Sequence, residues 1–75
     1  MAIKPSEQQV GGGHYKDYDI QPIEFIVANE IPYMESNVIK YVCRHRDKNG
    51  VQDLNKAIHY LEMMKEFYYG EAEHP

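Results

Sequence analysis

The sequence predicts an all-α fold: a short N-terminal helix, a helical hairpin whose second arm is the long third helix, and a flexible N-terminal arm. Three observations predict it. Apolar residues recur at three- and four-residue steps from Leu54 to Tyr68. The polar turn Asp47-Lys48-Asn49-Gly50 separates that stretch from an earlier periodic one, and no run alternates apolar and polar residues as a half-buried strand does. At 75 residues the chain has room for one domain with a modest core.

Each element follows from local chemistry. Residues 1–13 read as the flexible arm, because Pro5, a polar run and Gly11-Gly12-Gly13 bury too little surface to offset the entropy of ordering them. His14 to Ile20 reads as an extended connector. Pro22 suits the first turn of a helix running through Ile23, Phe25, Ile26 and Ala28 to about Asn29, and Pro32 stops it. A second helix begins near Glu35 or Ser36, with Ser36 as its N-cap, and ends before the turn, where Gly50 supplies a left-handed backbone. In the third helix, from about Asp53 to Tyr69, the residues Leu54, Ala57, Ile58, Leu61, Met64 and Tyr68 form an apolar stripe. Gly70 ends it, and residues 71–75 form a frayed acidic tail, which leaves 14–70 as a single helical domain.

Composition narrows the possibilities. With one cysteine, Cys43, no disulfide forms within the chain, and a lone thiol in a helical pattern fits a reducing, intracellular compartment. The opening MAIKPSEQQV lacks the pattern of a secretory leader, and no apolar stretch approaches the roughly 20 residues that span a bilayer, so neither secretion nor membrane insertion is expected. A single short partner helix cannot cover the stripe on the third helix. Self-association is the expected remedy, with Met63, Met64, Phe67, Tyr68 and Tyr69 partly interfacial in a homo-oligomer.

Charge points to an anionic partner. On a 3.6-residue helix Asn37, Lys40, Tyr41, Arg44 and Lys48 share one face, while Val38, Ile39, Val42 and Cys43 lie largely on another. Between Asn37 and Lys48, the four cations Lys40, Arg44, Arg46 and Lys48 stand against Asp47 alone, on a chain of net charge −4. Lys40 and Arg44 repel by a few tenths of a kcal/mol in an isolated helix unless an anion sits between them. Asp53, Lys56 and Tyr60 make a second polar line on the third helix. The two lines converge on a candidate pocket covered by His14, Tyr15 and Lys16, in which phosphates take the cations while a base or ribose uses the tyrosine rings, Asn37 and Asp53. The same residues also fit a solvated helix face. A long nucleic acid is not the expected partner, because Glu62, Glu66, Glu71 and Glu73 against Lys65 make the C-terminal segment acidic.

Catalytic and metal readings are weaker. His14, His45, His59 and His74 lie on different segments, with no His pair at the three- or four-residue spacing of a metal site. Cys43 falls in a packing pattern, with His45 two residues on and pointing elsewhere. All-α nucleotide pyrophosphatases hold magnesium with repeated carboxylates on facing helices, whereas here Asp53, Glu62 and Glu66 have no matching acidic helix. Binding without turnover, with no cofactor, is the expectation.

The blocks HYK (14–16), QPIEFI (21–26), NVIKYVCRH (37–45) and DLNKAIHYLE (53–62) resemble, in order and with similar spacing, the SaV-like family of small bacteriophage proteins. The resemblance implies a phage origin and a location in the host bacterial cytoplasm. Members are sometimes labelled nucleotide kinases, but Gly11-Gly12-Gly13 leads here to His14-Tyr15-Lys16 without the strand, the lysine spacing or the Ser/Thr of a P-loop. The expected function is therefore a small oligomeric protein that sequesters an anionic nucleotide-derived signal of anti-phage defence. The alternative is a protein–protein interaction module that regulates a host defence factor through its aromatic C-terminal helix.

Overall fold

The computed structural model describes Tyr15 and residues 17–71, and among them it has three helices and no strand: α1 (Pro22–Ala28), α2 (Tyr33–Arg44) and α3 (Val51–Tyr69). The fold is all-α, as the periodicity predicts. The expected arm over residues 1–13, together with His14, Lys16 and the tail beyond Glu71, lies outside the described residues.

Pro22 opens α1 at a position whose N–H has no helical partner, and the N–H of Gln21 donates to Glu24 Oε2 at 2.8 Å. The helix closes by a left-handed residue at Glu30, φ 51°, so that the N–H of Ile31 reaches Ile26 O at 2.9 Å and that of Glu30 reaches Val27 O at 3.1 Å. That reversal turns the chain into α2. Before α1, the described part of the expected extended connector is instead folded over. The N–H of Tyr18 donates to Tyr15 O at 3.1 Å, and the two rings lie 5.2 Å apart.

α2 starts earlier than the sequence reading placed it. Pro32, with φ −63° and ψ 166°, is the N-cap, and Tyr33 already begins the helix. Ser36 is not a cap. It sits inside the helix, where its hydroxyl donates to Pro32 O at 2.7 Å and lies 3.0 Å from Ile31 O, a local bond that serine makes as readily as a cap. Pro32 is more than a stop signal, because its fixed φ serves equally to start the next helix.

The hairpin turn is held by the N–H of Asp47 to Arg44 O at 3.0 Å and the N–H of Gly50 to His45 O at 2.9 Å. Gly50 has φ 57° and ψ −125°, a region closed to side chains, although a Cβ there meets nothing within 4 Å; the constraint is the backbone, not space. Gly70, at φ 71°, ends α3 with its own N–H on Glu66 O and that of Glu71 on Lys65 O.

α3 packs along α2, and α1 packs on α2 without reaching α3. The core is thin: of the described apolar residues only Tyr15 and Ala57 are buried, beside half-buried Val38, Tyr41, Tyr60, Met63 and Met64. In the predicted stripe Ala57 faces α2, whereas Leu54, Ile58, Leu61 and Tyr68 are exposed by 36, 51, 46 and 46%. One arm of a hairpin covers too little of a 19-residue helix. At the open end, the Tyr68 hydroxyl donates to Glu35 Oε1 at 3.2 Å.

Glu30 carries the left-handed strain without glycine's freedom, at a cost of roughly 1–2 kcal/mol. Glu30→Gly is therefore expected to raise unfolding stability by about 0.5–1 kcal/mol after glycine's extra unfolded-state entropy is subtracted. Urea denaturation checks it, and a fall in stability counts against the assignment of strain.

Candidate functional site

Successive turns of α2 place Lys40, Tyr41 and Arg44 together, and the first turns of α3 bring Lys56 across the seam. Three cations surround one ring: Lys40 Nζ lies 4.7 Å, the Arg44 guanidinium carbon 5.2 Å and Lys56 Nζ 5.3 Å from the Tyr41 ring centre. A tyrosine face attracts a cation by about 0.5–1 kcal/mol at an exposed site, without cancelling its charge. Among the described residues neither Lys40 nor Lys56 has an ion-pair partner. The cluster is therefore held by π contacts and remains electropositive. Tyr60 extends the aromatic surface, stacked on Tyr41 at 6.1 Å and met edge-on by Tyr33 at 6.3 Å.

Arg44 alone in this cluster has a carboxylate. Its Nε donates to Asp53 Oδ2 at 3.3 Å, and the same oxygen accepts the N–H of Asn49 at 3.1 Å. Asp53 is fully buried, and its Oδ1 meets no donor among the described residues. Burial pushes this carboxyl's pKa up, but the Asn49 N–H and the Arg44 guanidinium outweigh that and hold it below the usual carboxylate value. Its place in the first turn of α3 adds the favourable end of the helix dipole. Asp53 is thus positioned to hold Arg44 and the turn rather than to meet a ligand.

The residues expected to form one pocket divide between two concavities that share a cationic ridge. Tyr41, Lys56 and Tyr60 line a groove of about 490 Å³ along the α2–α3 seam, with Asn55, His59 and Met63. Tyr15, Asn37, Lys40 and Arg44 line a cleft of about 440 Å³ between α1 and α2. Lys40 and Arg44 line the cleft and also flank Tyr41, so they join the two. Lys48 belongs to neither. The helical face that was to carry it ends at Arg44, and Lys48 is exposed in the turn.

Of the covering segment His14-Tyr15-Lys16, only Tyr15 is described, and it does line the cleft. Gln21 puts it there. Its Oε1 accepts the Tyr15 N–H and its Nε2 donates to the Tyr15 carbonyl, both at 2.7 Å, a two-point clamp on one backbone unit. Burial raises the Tyr15 hydroxyl's pKa, with Cys43 and Asp53 adding to it. Sequence reasoning missed Gln21, Tyr33 and the apolar wall of Pro22, Ile23, Ile26 and Val27. The three- and four-residue spacing of Ile23, Ile26 and Val27 was a readable signal for that wall. Nothing local marks Gln21 as a clamp.

The family described as a protein of unknown function, DUF3310, matches residues 8–62. The chain belongs to the DUF3310 family. That match takes in α1, α2, the hairpin turn and α3 as far as Glu62, and so every residue of both concavities except Met63. No curated protein and no solved structure matches the chain.

No three of His, Cys, Asp and Glu come together as a metal set among the described residues, and none of the described helices is long and apolar enough to cross a membrane. The polar lining groups are amines, phenols, two amides, a serine hydroxyl, an imidazole and a guanidinium, which suits them to hold an anion.

The Arg44–Asp53 pair sets a pH dependence. Because the folded carboxyl titrates below its unfolded value near 3.9, its contribution to stability is present above about pH 4 and is lost as pH falls through the folded pKa. Asp53→Asn is expected to lower the melting temperature at pH 7, with the gap to wild type closing toward pH 2 in thermal melts. A gap that stays constant with pH means that the charge contributes nothing.

Proposed function

We propose that this protein is a small binding protein that sequesters an anionic, nucleotide-type molecule without turning it over. The observation that carries this reading is the convergence of Lys40, Arg44 and Lys56 on the Tyr41 ring, with Lys40 and Lys56 unpaired among the described residues of a chain of net charge −4. Concentrating like charges is unfavourable unless something anionic meets them, and phosphate oxygens accept from several amines at once. Tyrosines on either side of the cations, Tyr41 and Tyr60 in the groove and Tyr15 and Tyr33 in the cleft, supply surfaces for a planar group. The reading is one of binding rather than turnover, and the amine, phenol, amide and imidazole groups that line the groove suit an anion's oxygens.

The biological context in this proposal, a phage protein acting in the host cytoplasm against a nucleotide signal of bacterial defence, rests on the SaV-like resemblance over about residues 14 to 64. Self-association belongs to the same proposal. Leu54, Ile58 and Leu61 leave an apolar face on α3 that a second copy covers. The second reading, a host protein docked on the aromatic end of α3, is favoured by Phe67 and Tyr69, exposed by 62 and 80%.

Purified protein is expected to release an ultraviolet-absorbing nucleotide on denaturation, or to be stabilised by a member of a nucleotide panel, by about 2.7 kcal/mol at 100 times the dissociation constant. Lys40→Ala and Lys56→Ala should each weaken that binding by about 1.5–3 kcal/mol while leaving the melting temperature near wild type. Arg44→Ala should weaken binding and also destabilise the fold, because it strands the buried Asp53 carboxylate. If no nucleotide stabilises the protein and none is released, the host-protein reading takes its place. Light scattering at micromolar concentration should give more than one subunit, and a monomer removes the self-association part.

A further inference from the structure

We infer that the α1–α2 cleft is a base-binding subsite, which makes the ligand class a nucleoside phosphate whose ring system enters the cleft while its phosphate rests on the Lys40–Arg44 ridge. The inference rests on the anion-binding reading above and adds where the uncharged part of the ligand goes. Four features of the cleft point the same way.

Its size, about 440 Å³, lies within the range of small-molecule sites. Its walls differ: α1 contributes an aliphatic side, including Ile26 and Val27, and Tyr15 and Tyr33 contribute rings, so a flat apolar-faced group finds contact on both faces. Its polar group is selective. Asn37 is 8% exposed, and its Nδ2 donates to Tyr33 O at 2.9 Å, which fixes the amide's orientation. That bond leaves one amide hydrogen and the Oδ1 acceptor without a partner among the described residues, and both belong to a group lining the cleft. An amide in that state matches a base edge presenting an N–H beside a ring nitrogen, as adenine does with N6 and N7.

The fourth feature is the mouth. Lys40 and Arg44 stand on the same face of α2 as Asn37, at three and seven residues' distance, so a ligand anchored at Asn37 carries its phosphate toward the cations. Arg44 spends its Nε on Asp53, which leaves its terminal nitrogens for the phosphate. An inorganic anion fills the ridge and leaves the cleft empty. A nucleoside without phosphate fills the cleft and leaves the ridge uncompensated.

Calorimetric titration of the full chain with AMP, ribose 5-phosphate and pyrophosphate separates these contributions. AMP is expected to bind about tenfold or more tightly than ribose 5-phosphate, the lower end of what base stacking supplies. Ile26→Trp and Val27→Trp, which fill the cleft from the α1 side, should each abolish that preference while changing ribose 5-phosphate binding by less than about twofold; Val27 is 67% exposed, so its variant keeps the fold intact. Lys56→Ala should weaken all three probes. Equal binding of AMP and ribose 5-phosphate, or a preference for AMP that survives both tryptophan variants, overturns the base subsite and leaves the anion reading standing. Failure of every probe to bind overturns both.

Discussion

The contact on which the other features depend is the ion pair between Arg44 and Asp53. It joins the last residue of α2 to the first turn of α3, and its carboxylate also accepts the N–H of Asn49, so one buried oxygen closes the hairpin turn with two bonds. A buried carboxylate is costly to desolvate, and one with an unmet Oδ1 more so. The guanidinium, the Asn49 N–H and the helix dipole together offset that cost. The same bond fixes the aim of Arg44, because a guanidinium held at Nε presents its terminal nitrogens in one plane. Fold and site therefore share a residue: the group that closes the turn also forms the end of the cationic ridge.

The thin core explains why so much of this protein is settled by polar contacts. With Tyr15 and Ala57 as the only buried apolar residues among those described, packing alone leaves the relation of the helices loosely determined. Individual bonds take over at the margins. Gln21 clamps Tyr15, Ser36 ties the start of α2 to Ile31 of the preceding reversal, and Tyr68 reaches Glu35 across the open end of the hairpin. Much of the apolar surface of α3 remains uncovered, which gives a second copy or another protein something to bury. The exposed stripe and the cation cluster lie on one helix pair, so the proposed self-association and the proposed ligand site would share the same support.

The helices were legible because their signals are local: Pro22 at a helix start, Gly50 and Gly70 at helix boundaries, and the three- and four-residue spacing from Leu54 to Tyr68. The start of α2 was misplaced because Ser36 satisfies its hydroxyl equally well as a cap or inside a helix, and only the packing of the reversal at Glu30 and Ile31 decides between them. For the site, the identity of the cations was readable but their grouping was not. Helical spacing put Lys40, Tyr41 and Arg44 together correctly, yet placed Lys48 on a turn of helix that does not form. Asp53 looked like a ligand contact because a sequence does not reveal burial, and its pairing with Arg44 nine residues earlier depends on how the hairpin closes. The apolar face of α1 was readable from the spacing of Ile23, Ile26 and Val27, but that it walls a cleft depends on how α1 lies against α2.

The central claim is that the cations around Tyr41 form an anion site. A nuclear magnetic resonance titration with pyrophosphate, following the Tyr41 ring protons and the side-chain signals of Lys40 and Lys56, addresses it most directly. Saturable shifts at all three residues with one common dissociation constant are the predicted result, weakening as salt is raised. Shifts that never saturate, or that are confined to the exposed Lys48 turn, would contradict the claim and leave the cluster as a solvated face of the hairpin.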